Sequence, residues 1–374
     1  MCMRSFRLTV QGYSETADTL LKTLNDAIHN GTLPLNKFAV YKEMLLREYM
    51  NASMDKPWEQ ASELLKSILN KEFTLNGDKA VALRDLTMDS FQEYAKNIFS
   101  TVYIEGTIFG NIKASDATLM ADNLFNSFAT SAFYTAENKD PRAIINLPSD
   151  KGPFMIEAKT AAQGNAALLA IETLPFSIES YAAQEVLAQA LSEPFFNELR
   201  TRQQTGYIVF STAQELDRHL FTFFIVQSNT HMPRDLLARF ELFIESFLQE
   251  LETSALPKER FEKIKAALIT KLSKPATTLN EMGILLNTLA FEYEADFGWY
   301  NQRIEALKTL DYERFLLLVK KVLNKNNKRR LAVLINGVIS NEESLHFIPL
   351  QNVNELRKMS TFSGKTTPSY FPKI

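Results

Sequence analysis

The sequence predicts an α+β fold built from two homologous domains, each an antiparallel-rich sheet with helices packed on one face, the first domain truncated at its N-terminus. Three observations predict it. The chain has 374 residues and 45% hydrophobic content, more than one core accommodates, since single cores stop growing at roughly 250–300 residues. An internal repeat is visible, and the strand and helix signals come in blocks instead of strict alternation.

The repeat shows in matched phrases. "LPLNKF" at Leu33–Phe38 resembles "LPKERF" at Leu256–Phe261, and each opens an amphipathic helix. Phe38, Tyr41, Leu45 and Tyr49 share one face of the first helix, and Phe261, Ile264, Leu268 and Leu272 share one face of the second. Proline near each start suits an N-terminal turn. Further on, "LTMDSFQEYAKNIF" from Leu86 is matched by "LDYERFLLLVKKVL" from Leu310, and both lead into strand signals, "VYIEGTIFG" and "RLAVLIN". Upstream, the strand, turn and helix pattern from Arg4 parallels that from Arg218, whose helix aligns Leu236, Phe240, Phe243 and Phe247.

The second copy carries a lead that the first lacks: strands "FMIEA" and "AALLAIET", a helix from Ser177, the phrase "SEPFFNELRTRQQTGYIVFS" at 192–211, and the strand "YIVFSTA". This lead is about 60 residues. Pro141, Pro148 and Pro153 stand among polar residues in "TAENKDPRAIINLPSDKGP", a composition that favours an extended connector. The expected division is therefore a first, incomplete domain at 1–134, a linker at 135–153 and a second domain at 154–374. A tight turn is expected at "QELD" between Ala213 and Arg218.

Composition narrows the function. The formal net charge is -3, with 41 basic and 44 acidic residues and no long like-sign run, so a nucleic-acid partner is not expected. Cys2 is the only cysteine, which excludes an internal disulfide and a thiolate metal cage. The N-terminal "MCMRSFRLTV" lacks the apolar core of a secretory signal. No apolar run reaches the ~18 residues of a spanning helix. The expectation is a soluble, cytoplasmic chain with no membrane partner; oligomeric state, a homo-oligomer included, stays open.

The histidines are His29, His219, His231 and His346, and no two of them stand at metal-ligand spacing from each other. There is no H-x-x-E-H, H-E-x-x-H, P-loop, G-x-G-x-x-G or G-x-S-x-G. No metal or cofactor is expected on this chain. The charged run "KNNKRR" at Lys325–Arg330 reads as a solvated turn.

One stretch behaves differently. In "SEPFFNELRTRQQTGYIVFS", Ser192 can cap and Pro194 suits a first turn, so "FFNELRTR" makes a short helix that Gly206 breaks. Phe196 and Arg200 are four apart and share a helical face. Tyr207 opens the next strand, where its phenol can return toward Arg200. Either a guanidinium and a phenol converge as donors to a carbonyl or developing oxyanion, or Arg200 is a surface residue and Tyr207 a half-packed strand end. Spacing does not decide between them.

At these residues the sequence resembles the insulinase and pitrilysin type zinc metallopeptidases, the inverzincins. The resemblance is strongest between Leu187 and Ser228, with support at Lys37–Leu69 and Leu86–Asn111. It implies a clamshell of four homologous α+β domains, with zinc held by H-x-x-E-H in the N-terminal half and peptides enclosed when the C-terminal half closes. This chain resembles the third and fourth domains. By this resemblance Arg200 and Tyr207 bind the scissile carbonyl or its tetrahedral intermediate, and Phe196 lines the cleavage pocket. Zinc would activate water and a glutamate would act as base, both in a zinc-bearing N-terminal half supplied in cis or in trans. The partners implied are that half and peptide substrates. A non-catalytic peptide-binding or assembly subunit is the alternative.

Overall fold

The computed structural model describes residues 6–30, 33–128, 131–134, 144–173 and 175–339. Cys2, Arg4, Pro141 and His346 lie outside the described residues. The first part is helical: α1 (Ser14–Asn30), α2 (Leu35–Asn51), α3 (Pro57–Leu69), α4 (Asn76–Asp85), α5 (Met88–Asn97) and α6 (Ala114–Ser127), with short strands β1 (Thr101–Val102) and β2 (Ala132–Phe133). The second part opens with β3 (Phe154–Gln163), β4 (Asn165–Glu172) and α7 (Ile178–Phe196), then β5 (Ile208–Leu216) and β6 (His219–Ser228). It continues with α8 (Pro233–Gln249), α9 (Lys258–Leu272), α10 (Leu279–Glu292), α11 (Trp299–Thr309), α12 (Tyr312–Leu323) and β7 (Arg330–Val338).

The strands of the second part form one mixed sheet, ordered β3-β7-β4-β6-β5. β4, β5 and β6 pair antiparallel and β4 pairs β7 antiparallel, while β3 joins β7 in parallel. The α+β, antiparallel-rich class is therefore present. On one face, Ala167 and Leu169 of β4, Phe224 and Val226 of β6, and Ala332 and Leu334 of β7 pack under α7, α8, α9 and α12. Phe240, Phe261 and Phe315 of these helices are fully buried.

The opposite face is covered from far away in the chain. Ala61, Leu65 and Leu69 of α3 pack on Leu168, Phe221, Phe223, Ile225 and Val333. Every residue of β4 is consequently buried, the pattern of a strand covered on both sides. The spacing of Ala61, Leu65 and Leu69 at four-residue steps puts them on one helical stripe, which is why this helix serves as a lid on a flat apolar surface.

The strands expected in the first copy largely fail to form. Of "VYIEGTIFG" only Thr101–Val102 pairs, with Ala132–Phe133, and Phe6–Val10 is not a strand. Phe6 and Leu8 are exposed, so the alternation there meets no sheet to pack on, and an unsupported strand is unstable. The expected turn at "QELD" is also displaced. β5 continues through Leu216 and the turn is Asp217–Arg218, both at positive φ (49° and 65°), the two-residue geometry that matches sheet twist.

That turn is anchored. The Arg218 guanidinium lies 4.8 Å from the ring centroid of Phe176, 5.0 Å from Trp299 and 5.1 Å from Tyr293, an arrangement favoured by the ring quadrupoles. Tyr293 donates to Glu215 at 3.0 Å, and burial holds its phenol well above the ordinary range, so it stays a neutral donor. The run "KNNKRR" is not wholly solvated: Arg330 is buried and its guanidinium pairs Glu241 and the Leu323 and Asn324 carbonyls. Those carbonyls end α12, where a cation satisfies orphan acceptors.

Because Leu65 and Leu69 are buried against the sheet while Leu35 of α2 is 66% exposed, truncation should separate them. Leu65→Ala and Leu69→Ala are expected to lower unfolding free energy by about 2–5 kcal/mol, and Leu35→Ala by no more than about 0.5 kcal/mol, as read by chemical denaturation.

Candidate functional site

The phrase at 192–211 does not open a helix. α7 begins at Ile178, capped by Ser177, whose side chain accepts from the Ser180 N–H, and runs unbroken past Ser192 with Pro194 in its interior. Pro194 lacks the N–H that would continue the ladder. Within one turn the helix widens to a π-helical segment, Asn197–Arg202. The expected Ser192 cap and Pro194 start are thereby corrected: local residue preferences were overridden by the buried stripe Ala183, Leu187, Leu191, Phe195 and Leu199.

Neighbouring phenylalanines separate into opposite roles there. Phe195 is fully buried, edge-on to Phe224 and Phe243 at 5.2 Å each and to Phe240 at 5.5 Å. Phe196 is 44% exposed. Aromatic pairs of this geometry add roughly 0.5–1.5 kcal/mol each beyond area burial, so Phe195 fixes the rotation of the helix end. That rotation turns Phe196 and Arg200 outward.

The chain leaves the helix through a tight sequence of bonds. The Leu199 carbonyl accepts from the Thr205 N–H at 3.0 Å and the Thr205 hydroxyl at 2.9 Å, and Gln204 takes positive φ (51°). The Glu198 carboxylate accepts from Arg202 at 2.7 Å and from Gln203 at 2.9 Å. Gln203 in turn accepts from Arg239 of α8 at 2.7 Å. Gly206 then passes so close to β6 that a Cβ would stand 2.0 Å from the Gln227 carbonyl oxygen. Only glycine fits.

Arg200 and Tyr207 are both exposed, Tyr207 at 50%, and do not bond each other directly. Arg200 Nη1 donates to the Gly206 carbonyl, next to Tyr207, and its guanidinium has further N–H donors. The Tyr207 oxygen accepts from Gln227 Nε2 at 2.8 Å. Gln227 Oε1 accepts from the Trp58 backbone N–H at 3.3 Å, in the first turn of α3. A surface depression of about 220 Å³ lies here, where Met54, Lys56 and Pro57 meet Gln163, Tyr207 and Gln227. The arrangement presents a guanidinium, a phenol and a phenyl ring at one helix-to-strand junction. Such donors can hold a carbonyl or an oxyanion.

Gln227 and Trp58 were not singled out in the sequence. The signal was present, because Gln227 continues the buried alternation Phe221, Phe223, Ile225, and a polar residue there requires partners. The histidines are dispersed: His29 packs on Phe128 at 4.5 Å, His219 Nδ1 lies 3.1 Å from Glu172, and His231 Nδ1 lies 2.9 Å from Thr230 Oγ1. Among the described residues no group of three or more His, Cys, Asp or Glu is placed to hold a metal, so they do not fit a zinc site. Also among them, no helix is long and apolar enough to cross a membrane.

At Gly206 the two kinds of glycine can be told apart by substitution. Gly206→Ala is expected to destabilise by about 1–3 kcal/mol through forced separation of β5 from β6. Gly77→Ala, in α4 with nothing within 4 Å of the added carbon, is expected to be neutral or stabilising by about 0.4–1 kcal/mol; denaturation midpoints check both.

Comparison with known proteins gives a consistent assignment. Residues 2–82 match the middle or third domain of peptidase M16, and residues 186–283 match the PQQ synthase PqqF-like C-terminal lobe domain 4. Human insulin-degrading enzyme is 26% identical over 354 residues, covering 92% of this chain and 34% of that protein. The crystal structure of pitrilysin superposes with a TM-score of 0.72 at 19% identity, covering 93% of this chain and 37% of that one. A peptidase M16 inactive domain from Pseudomonas fluorescens superposes with a TM-score of 0.63 at 15% identity, covering 88% and 77%. The chain spans about a third of the length of the curated relatives it matches. Fold, domain matches and relatives all support the insulinase and pitrilysin type (M16) peptidase family, with this chain similar to its C-terminal half.

Proposed function

We propose that this chain is the closing, substrate-positioning half of a zinc metalloendopeptidase. Arg200 and Tyr207 bind the scissile carbonyl of an enclosed peptide and the oxyanion that forms from it, and Phe196 lines the pocket for a neighbouring side chain. In this reading residues 1–134 are the third-type domain, 135–153 a connector and 154–374 the fourth-type domain. The zinc site belongs to a separate N-terminal half, in cis or in trans.

The observation that carries the reading is the outward display of Phe196, Arg200 and Tyr207 from a junction anchored by the buried Phe195, Leu199 and Thr205. Exposed aromatic and guanidinium groups on a rigid frame suit recognition better than packing. Their partners leave donor capacity: Arg200 uses one N–H on Gly206, and Tyr207 accepts without donating in its bond to Gln227. Donors aimed at a charge that develops during reaction favour the transition state over the ground state.

A second reading, a non-catalytic peptide-binding or assembly subunit, is favoured by the likeness to a structure described as an inactive M16 domain. The two separate in one experiment. With the chain reconstituted alongside a zinc-bearing half, Arg200→Ala and Tyr207→Phe are each expected to raise the barrier for peptide cleavage by about 2.7–4 kcal/mol. Unchanged kcat/KM in both would eliminate the positioning role, and peptide binding without cleavage by the complex would favour the second reading.

A further inference from the structure

We propose that Gln227 is a positioning residue that commits the Tyr207 phenol to act as a hydrogen-bond donor toward the peptide; this rests on the reading of Tyr207 given above. The argument begins at a backbone group with no choice. The Trp58 N–H can only donate, so the Gln227 atom facing it at 3.3 Å is the carbonyl oxygen Oε1. That fixes the orientation of the amide, and the atom 2.8 Å from the Tyr207 oxygen is Nε2.

An amide nitrogen of this kind has hydrogens and no acceptor capacity. Tyr207 must therefore accept, and its single hydroxyl hydrogen is turned away from Gln227. The ring is 50% exposed while Gln227 is 2% exposed, so that hydrogen faces the open side of the junction. Water alone would let an exposed phenol donate or accept. Gln227 removes the choice.

Two features reinforce the polarity. The Trp58 N–H lies in the first turn of α3, behind Pro57 at its start, where the helix end carries partial positive charge. A carbonyl held there is polarised, and its N–H groups become better donors along the chain of bonds. The Gln227 backbone is fixed by its pairing with Ala166 on one side and Ile208 on the other, and the residue is buried with both ends of its amide bonded. The orientation of Tyr207 is thus set by a helix 169 residues away from Gln227 in sequence.

The test uses the full chain labelled with 13C at tyrosine Cζ, the Tyr207 resonance being assigned through Tyr207→Phe. Gln227→Glu is examined in buffer above about pH 8–9, the upper range for a buried glutamate. The carboxylate still accepts from Trp58 but now demands a hydrogen from Tyr207. The Cζ resonance is expected to move downfield, as donation gives the ring phenolate character. Gln227→Met, which withdraws the donated bond without adding charge, should also displace the resonance. A resonance unmoved in both variants overturns the proposal.

Reconstituted with a zinc-bearing half, Gln227→Glu is expected to lose kcat by about 10²–10³-fold, as Tyr207→Phe does, and Gln227→Met to lose less. A purely structural Gln227 predicts the reverse order, because methionine abandons Trp58 and glutamate does not; that order overturns the proposal. If the resonance moves while Tyr207→Phe leaves cleavage intact, the bond direction stands and the peptidase role of Tyr207 falls. If the resonance is unmoved while Tyr207→Phe is inactive, the role stands and the orienting function of Gln227 falls.

Discussion

The burial of the central strands β7, β4 and β6 on both faces is the constraint on which the other features depend. α7, α8, α9 and α12 dry one face and α3 dries the other. With apolar side chains committed in both directions, a one-residue slip of any central strand would exchange its two faces. β6 is therefore locked in register, with Phe221, Phe223 and Ile225 on one side and Phe224 and Val226 on the other. Gln227 inherits its place from that alternation, and Gly206 and Tyr207 are fixed against Gln227.

β5 is held at both ends by different physics. At Asp217–Arg218 a positive-φ turn is closed by a guanidinium among aromatic rings, a contact of charge with quadrupole. At Gly206 the hold is steric, a backbone approach too close for any side chain. Between the anchors the strand is paired throughout. The exposed groups of the junction thus stand on a support with little freedom, which suits recognition of a fixed geometry.

Much of this was legible in the sequence. The aliphatic and aromatic runs of β3 to β7 and the apolar stripes of α8 and α9 fall where period and composition put them. The phrase around Arg200 was recognisable as a whole. What was not legible depends on partners distant in sequence. Pro194 looked like a helix start because its neighbours favour one, yet the buried stripe of α7 carries the helix through it. Arg330 looked solvated until the end of α12 and Glu241 met it. The Trp58 and Gln227 contact could not be read from spacing at all, and the first-copy strand signals had no sheet to join.

The position of β7 has a consequence for how the chain reaches this state. β7 is the last described strand, yet it sits between β3 and β4, so on a ribosome β3 and the β4-β6-β5 group emerge while the slot between them stays open. An unfilled slot in a hydrophobic sheet is a template for foreign strands. Closure waits on contacts of long sequence separation, which are slow to form. Vectorial synthesis thus leaves the nascent sheet exposed until β7 arrives, and α3 must wait for a surface that β7 completes.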